Sequence, residues 1–360
     1  MIEPSITSQH DWLQLADEWA YAYTKPATCG EIKSSPQDFK VKEQMDVCPC
    51  GDGEHIWLLV KKQQQNTERV AKQLARYAGV AYRDVGFSGL KDFFAVTEQW
   101  FSLWIPKGGQ PEWADFTMSG VSILQTTRHT RKIKRGTHTA NQFSIKVNRI
   151  SASPHQLESR LLQIKEHGVP NYFGLQRFGR KLDNMRRAST LLENAAAPVS
   201  RKFKDRHLRG LLLSSARSWL FNSILSERIR QGNWQALWPG EPANLDGSAS
   251  TFNANDEADL TERLNLLDIH PTAPLFGEVS DKDVADFIDL YHWEGEIVQP
   301  FQNLVDGLSK MRLKYQRRPL RMKVRNFEWQ QNGNQLKLDF TLNKGQYATS
   351  VLREIVELPN

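Results

Sequence analysis

Apolar residues recur with a period of two at both ends of this chain and with a helical period in its middle. Phe39-Lys40-Val41-Lys42-Glu43 alternates, and Phe101, Leu103 and Ile105 share one face of another extended run. Over 142–148, Phe143, Ile145 and Val147 fall on one side and Ser144, Lys146 and Asn148 on the other. Leu336, Leu338, Phe340 and Leu342 repeat the pattern before Asn343-Lys344-Gly345 breaks it. Between these strands, Val70, Leu74 and Tyr77 define a helix that Asn66 or Thr67 can cap and Gly79 can stop. A second helix takes Ser153 as cap and Pro154 as first residue, with Leu157, Leu161 and Ile164 inside and Gly168 at its end. Beyond Gly168 helical spacing dominates, as in 214–230 with Leu220, Ile224 and Ile229 on one side and Gly232 after it. The stretch 238–274 is loop-rich by its prolines and glycines, and Thr349 can cap a last helix built on Val351, Leu352 and Ile355.

Strands at both ends around a helical middle predict an α/β (α+β) chain in which one domain is inserted into another. The C-terminal strand and helix are expected to pack back on the N-terminal sheet. A length of 360 residues favours two units, and 39% hydrophobic residues with 11 tryptophans suffice for sizeable cores. The mean hydropathy of −0.56 and the lack of a long apolar run argue against a membrane span. Met1-Ile2-Glu3-Pro4 has no basic segment leading into an apolar one, so a soluble, cytoplasmic protein is expected.

Charge narrows the partner. The net charge is +6, and basic residues crowd into 128–135, 177–187, 201–209 and 314–325, whereas acidic ones gather between Asp246 and Glu296. Such asymmetry gives one surface a positive field suited to a polyanion, and the interleaved aromatics favour nucleic acid. Three cysteines are too few for a disulfide scaffold. Cys48-Pro49-Cys50 with Cys29 and His55 supplies only one tight pair where a tetrahedral site needs more, so reduced thiols and no metal are expected.

The most informative segment is Gly86-Phe87-Ser88-Gly89-Leu90-Lys91-Asp92-Phe93-Phe94-Ala95-Val96-Thr97-Glu98-Gln99-Trp100. A Gly-x-x-Gly turn delivers a Lys-Asp pair just before an apolar strand. Asp92 has no His or second carboxylate close by in sequence, which suits covalent or base work on a substrate carrying its own reactive groups. With Ala95-Val96-Thr97-Glu98-Gln99, this segment resembles the catalytic motif of the TruD family of tRNA pseudouridine synthases. The resemblance continues in 30–43, in Gly51-Asp52-Gly53-Glu54-His55, in Asn66-Thr67, in Asn141-Gln142-Phe143, in 169–179 and in 345–354. It covers nearly the whole chain and thins out between Trp234 and Arg312.

The resemblance implies a mixed-sheet catalytic domain of the pseudouridine synthase type, residues 1–167 and 321–360, interrupted by a family-specific TRUD insertion domain at 168–320. It implies an isomerase that turns uridine into pseudouridine, at uridine-13 in the D-arm of tRNA, with Asp92 as the catalytic carboxylate. Lys33, Phe39, Asn141 and Phe143 become its substrate-binding residues. Lys33 can place a cation beside Asp92 or a phosphate, and Asn141 can donate to and accept from a uracil or ribose edge. Phe143 can stack on the uracil, a contact worth about 1–3 kcal/mol; Phe143 and Phe39 are equally plain core residues by their alternation. Tyr172, Phe173, Gln176 and Arg177 read as structural. The expected partner is tRNA, bound by a monomer, with no membrane, no nucleotide cofactor and no metal, because the isomerisation consumes nothing. This chain departs from the family at Phe93-Phe94, where relatives carry a basic residue and often His. A non-catalytic RNA-binding or RNA-folding protein of the same fold is the alternative, and a hydrolase pairing Asp92 with Glu98 ranks below both.

Overall fold

The structure is a computed structural model that describes residues 9–106, 109, 111–193, 195, 203, 205–254 and 259–357. The N-terminal Met1-Ile2-Glu3-Pro4 and the basic residues Arg201, Lys202 and Lys204 lie outside them. The chain divides into two compact units. One comprises Ala27–Ser159, Val324–Gly345 and the residues from Val356 on; the other comprises the residues up to Pro26, Arg160–Lys323 and Gln346–Ile355.

The first unit is built on a nine-stranded mixed sheet. Its strands run in the order Arg325–Asn332, Gln335–Asn343, Ala140–Asn148, Phe39–Gln44, Val96–Trp104, His55–Gln63 and Val121–His129. Two short strands, Glu31–Ile32 and Val85–Phe87, pair with 140–148 and 96–104. Each strand that the period-two pattern marked is present. The C-terminal one lies antiparallel to 140–148, from Leu336 opposite Val147 to Asn343 opposite Ala140. Phe143 faces Phe340 across that pair, so the alternating apolar residues of the two strands form one buried layer.

One edge of 96–104 determines where the site lies. Along it, 39–44 pairs in parallel with residues 96–98, whereas 85–87 pairs antiparallel with 101–103. The sheet therefore splits beside residues 99 and 100, and the segment 88–95 emerges at the split. Helix Thr67–Tyr77 covers the sheet on one side of it, burying Val70, Ala71, Leu74 and Ala75 against Ile56, Leu58, Val60, Phe101 and Leu103. Asn66 holds the cap position of this helix, but its side chain makes no cap bond. Tyr77, expected on the apolar face, is 37% exposed; its ring packs against Trp113 and Phe116 and its phenol donates to the Glu112 carbonyl.

The second unit is mainly helical. Helix Arg206–Arg230 runs through its core, and Trp219, Leu220, Phe221 and Leu225 on it are fully buried. Trp12 packs edge-on against Trp219 with ring centroids 4.8 Å apart. Tyr172 and Phe173 belong to this core, as their structural role required. Helix Ala348–Ile355 is counted with this unit rather than with the sheet. Gly168 ends helix Pro154–His167 with φ +74°, where a Cβ would lie 2.5 Å from the Met322 carbonyl oxygen. The stretch 238–274, loop-rich by its prolines and glycines, has turns between short strands and one short helix. Pro242–Leu245 sits between Thr251–Asn253 and Ile269–His270 in a three-stranded sheet, and Thr272–Leu275 pairs with Gln316–Pro319. These strands are two to four residues long, too short for a local period to announce them.

Candidate active site

The segment 88–95 enters from a tight crossing. A Cβ at Gly86 would sit 2.2 Å from the Ile133 carbonyl oxygen and 2.6 Å from the Ser102 hydroxyl, so only glycine fits there. Gly89 has room for a side chain, so the first glycine of the Gly-x-x-Gly turn is the sterically required one. The basic run packs against this turn. Gly136 N–H donates to the Ser88 carbonyl at 2.8 Å, and the Arg135 guanidinium lies 3.9 Å from the centroid of the Phe87 ring.

Asp92 projects from the segment with its side chain 55% exposed. Its Oδ2 lies 2.7 Å from Lys33 Nζ, a residue 59 positions away. The same ammonium sits 4.3 Å from the centroid of the Phe39 ring. Lys33 is thus held between a carboxylate and an aromatic face, from a backbone at φ +59° that few non-glycine residues adopt.

Lys91 points the other way, into the sheet. Its Nζ lies 2.8 Å from Glu43 Oε2 and donates to Asn141 Oδ1 at 2.9 Å. Both members of the ion pair are buried, at 6% and 0% side-chain exposure. Burial pushes the Glu43 carboxyl above its usual range, and Lys91 opposes that rise. The lysine also fixes the Asn141 amide: Oδ1 faces the ammonium, which turns the NH₂ away as a donor.

Phe39 and Phe143 are 4% and 7% exposed. They meet edge to face at 6.2 Å, and Phe143 stacks on Phe340 at 5.3 Å. Five residues singled out from sequence therefore gather around the split in the sheet. Lys33 and Asp92 touch each other, Phe39 underlies Lys33, Asn141 is tied in through Lys91, and Phe143 lies in the aromatic layer beside Phe39. Phe93 and Phe94 are 49% and 37% exposed on the same segment. Glu98 alternates with Thr97 and Gln99, whose side chains face the segment, and so points to the opposite side of the sheet. That placement removes the acid pair a hydrolase would use.

Three groups escaped notice in the sequence: Glu43, Lys62 and the inward role of Lys91. Two carried a signal. Lys62 falls in the buried phase set by Ile56, Leu58 and Val60, and Glu43 in that set by Phe39 and Val41. A charged residue in the inward phase of a strand needs a partner inside.

His138 closes the site near the turn, its Nδ1 2.8 Å from the Ser88 hydroxyl, which accepts the His138 N–H. Burial, with Lys91 and Lys344 nearby, pushes the imidazole down to about 4. The unfolded chain takes up this proton near 6.5 and the folded one only near 4, so stability is lost as pH falls through that window. Urea midpoints at pH 7 and pH 5 should differ less in His138→Gln than in wild type; an equal difference would show that His138 is not the group responsible.

Among the described residues, no group of three or more His, Cys, Asp or Glu is placed to hold a metal, and no helix is long and apolar enough to cross a membrane. The family model described as tRNA pseudouridine synthase D (TruD) matches residues 17–195 and 182–355. A tRNA pseudouridine synthase D of Stutzerimonas stutzeri is 38% identical over 338 residues, covering 94% of this chain and 95% of the relative. Those of Nitrosococcus oceani and Idiomarina loihiensis are 40% and 41% identical, covering 94% and 91% of this chain and 93% and 92% of their own. A crystal structure assigned to tRNA pseudouridine synthase D of Methanosarcina mazei superposes with a TM-score of 0.68 at 20% identity, covering 95% of this chain and 97% of the other, a likeness of fold.

Proposed function

Because the chain belongs to the TruD family of tRNA pseudouridine synthases, we propose that it isomerises uridine-13 in the D-arm of tRNA, with Asp92 as the catalytic carboxylate. The observation that carries this reading is the exposed Asp92 carboxylate, 2.7 Å from the Lys33 ammonium, at the split of the sheet. The reaction breaks the bond from uracil N1 to C1′ of the ribose, turns the base and joins C5 to C1′; the C5 proton leaves and N1 takes up a proton, so composition is unchanged. The substrate is neither oxidised nor reduced and no co-substrate is spent, so the chemistry requires no redox group or nucleotide cofactor. Asp92 acts in its ionised form, and Lys33 keeps a cation against it.

Lys33, Phe39, Asn141 and Phe143 bind the target nucleoside. The Asn141 NH₂, turned outward by Lys91, donates to a carbonyl of the uracil or to the ribose. The aromatic pair forms the floor on which the base turns. Reaching Asp92 requires the uridine to leave its stack, at a cost of a few kcal/mol. Phosphate contacts from the basic runs, such as Lys134 beside the turn, offset that cost and make binding salt-dependent. The enzyme works as a cytoplasmic monomer, with a catalytic domain of residues 1–167 and 321–360 interrupted by the insertion at 168–320.

The test uses two tRNA transcripts that differ only in uridine or cytidine at position 13, with pseudouridine mapped at single-nucleotide resolution. One pseudouridine at position 13 of the first and none in the second is the expected result. Modification elsewhere would overturn the choice of target, and binding of both without modification would favour the RNA-folding alternative.

A further inference from the structure

We infer that Lys62 is a positioning residue for the catalytic carboxylate: its buried ammonium, together with Thr67 and Gln99, locks the backbone of the segment that carries Asp92. This rests on Asp92 being the catalytic group. Lys62 Nζ donates to the Asp92 carbonyl at 2.9 Å and to the Lys91 carbonyl at 3.4 Å. The Thr67 hydroxyl accepts the Lys91 N–H at 3.0 Å and donates to Gln99 Oε1 at 3.1 Å. Gln99 Nε2 in turn donates to the Gly89 carbonyl at 3.1 Å. Three side chains from two strands and a helix thus hold the backbone of Gly89, Lys91 and Asp92 on both sides of the reactive residue. Lys62 and Gln99 are fully buried and Thr67 nearly so. Thr67, the first residue of its helix, therefore spends its hydroxyl on the active segment.

A fully buried ammonium that touches carbonyls rather than a carboxylate is costly, and an apolar residue in this phase of the strand would serve packing better. What the charge adds is attraction to the Asp92 carboxylate on the segment it grips. The charged groups that face Lys62 are Asp92 and Lys91. Its cross-strand neighbours, Thr97 and Val121, carry no charge, and Glu43 is engaged by Lys91. Burial pushes the ammonium down to about 8, with Lys91 adding to the fall and Asp92 opposing it. The grip therefore weakens as pH rises through that value.

Single-turnover rates and tRNA affinities of wild type, Lys62→Met, Lys62→Gln and Asp92→Asn, measured from pH 6 to pH 9, test this. Lys62→Met should lower the rate by about 10²-fold, the scale of a misplacement of about 1 Å, with tRNA affinity unchanged. Lys62→Gln keeps a donor without the charge, and should fall between the two. The wild-type rate should drop as pH rises through about 8, and both Lys62 variants should be flat there. If Lys62→Met does not fold, Lys62→Gln alone decides. Wild-type rates per tRNA-binding molecule and an unchanged pH profile in the Lys62 variants, beside an inactive Asp92→Asn, would overturn the role of Lys62 and leave the catalytic assignment standing. Activity in Asp92→Asn would overturn both.

Discussion

Asp92→Asn is expected to bind tRNA like wild type and to form pseudouridine at least about 10³-fold more slowly. Asparagine keeps the shape and can still accept a hydrogen bond from Lys33 Nζ, but it can neither attack nor take a proton. The hydrogen bonds from Lys62, Thr67 and Gln99 that hold this segment go to backbone groups and remain when the carboxylate is replaced. Structure and affinity should therefore survive while the rate collapses. Filter binding and single-turnover kinetics on one transcript separate the two quantities, and an equal loss of affinity would mean that Asp92 acts in binding.

Glu43→Ala should carry a large stability cost. It leaves the Lys91 ammonium, 6% exposed, without its counter-charge, and breaking a buried pair this way costs about 3–5 kcal/mol. It also frees the Trp100 N–H that the carboxylate accepts at 3.3 Å, beside the split in the sheet. Glu43→Ala combined with Lys91→Met removes both charges and should recover much of the stability, because the penalty lies in the orphaned ion. Activity should stay low in the double variant, since Asn141 has lost the donor that orients its amide. Urea unfolding of the four proteins in this cycle measures the coupling; additive losses would show that the pair is not a unit.

Much of the sheet was legible because its strands carry their burial in a period of two. Phe143, Ile145 and Val147 face Phe340, Leu338 and Leu336 as their alternation required. Asp92 was legible through its motif alone, since no neighbouring acid or histidine marked it. The buried pair of Lys91 with Glu43 was not, whereas Lys33 beside Asp92 was one of the two places the resemblance offered for that cation. Lys33 reaches Asp92 only because its backbone turns left-handed, and Lys91 faces inward because the segment leaves the strand direction before residue 96. Neighbouring residues on a strand point apart, but residues 91 and 92 are not on one. Glu43 and Lys62 were overlooked for a different reason: each completes an inward-facing series, and only the strand register shows what they meet inside.

Tritium release from C5 of a transcript labelled only at uridine-13, under single turnover with wild type beside Asp92→Asn, decides whether this carboxylate isomerises one uridine of tRNA. Stoichiometric release by wild type and none by the variant is the expected result. Equal release by both, or none by wild type on a transcript that it binds, would contradict it.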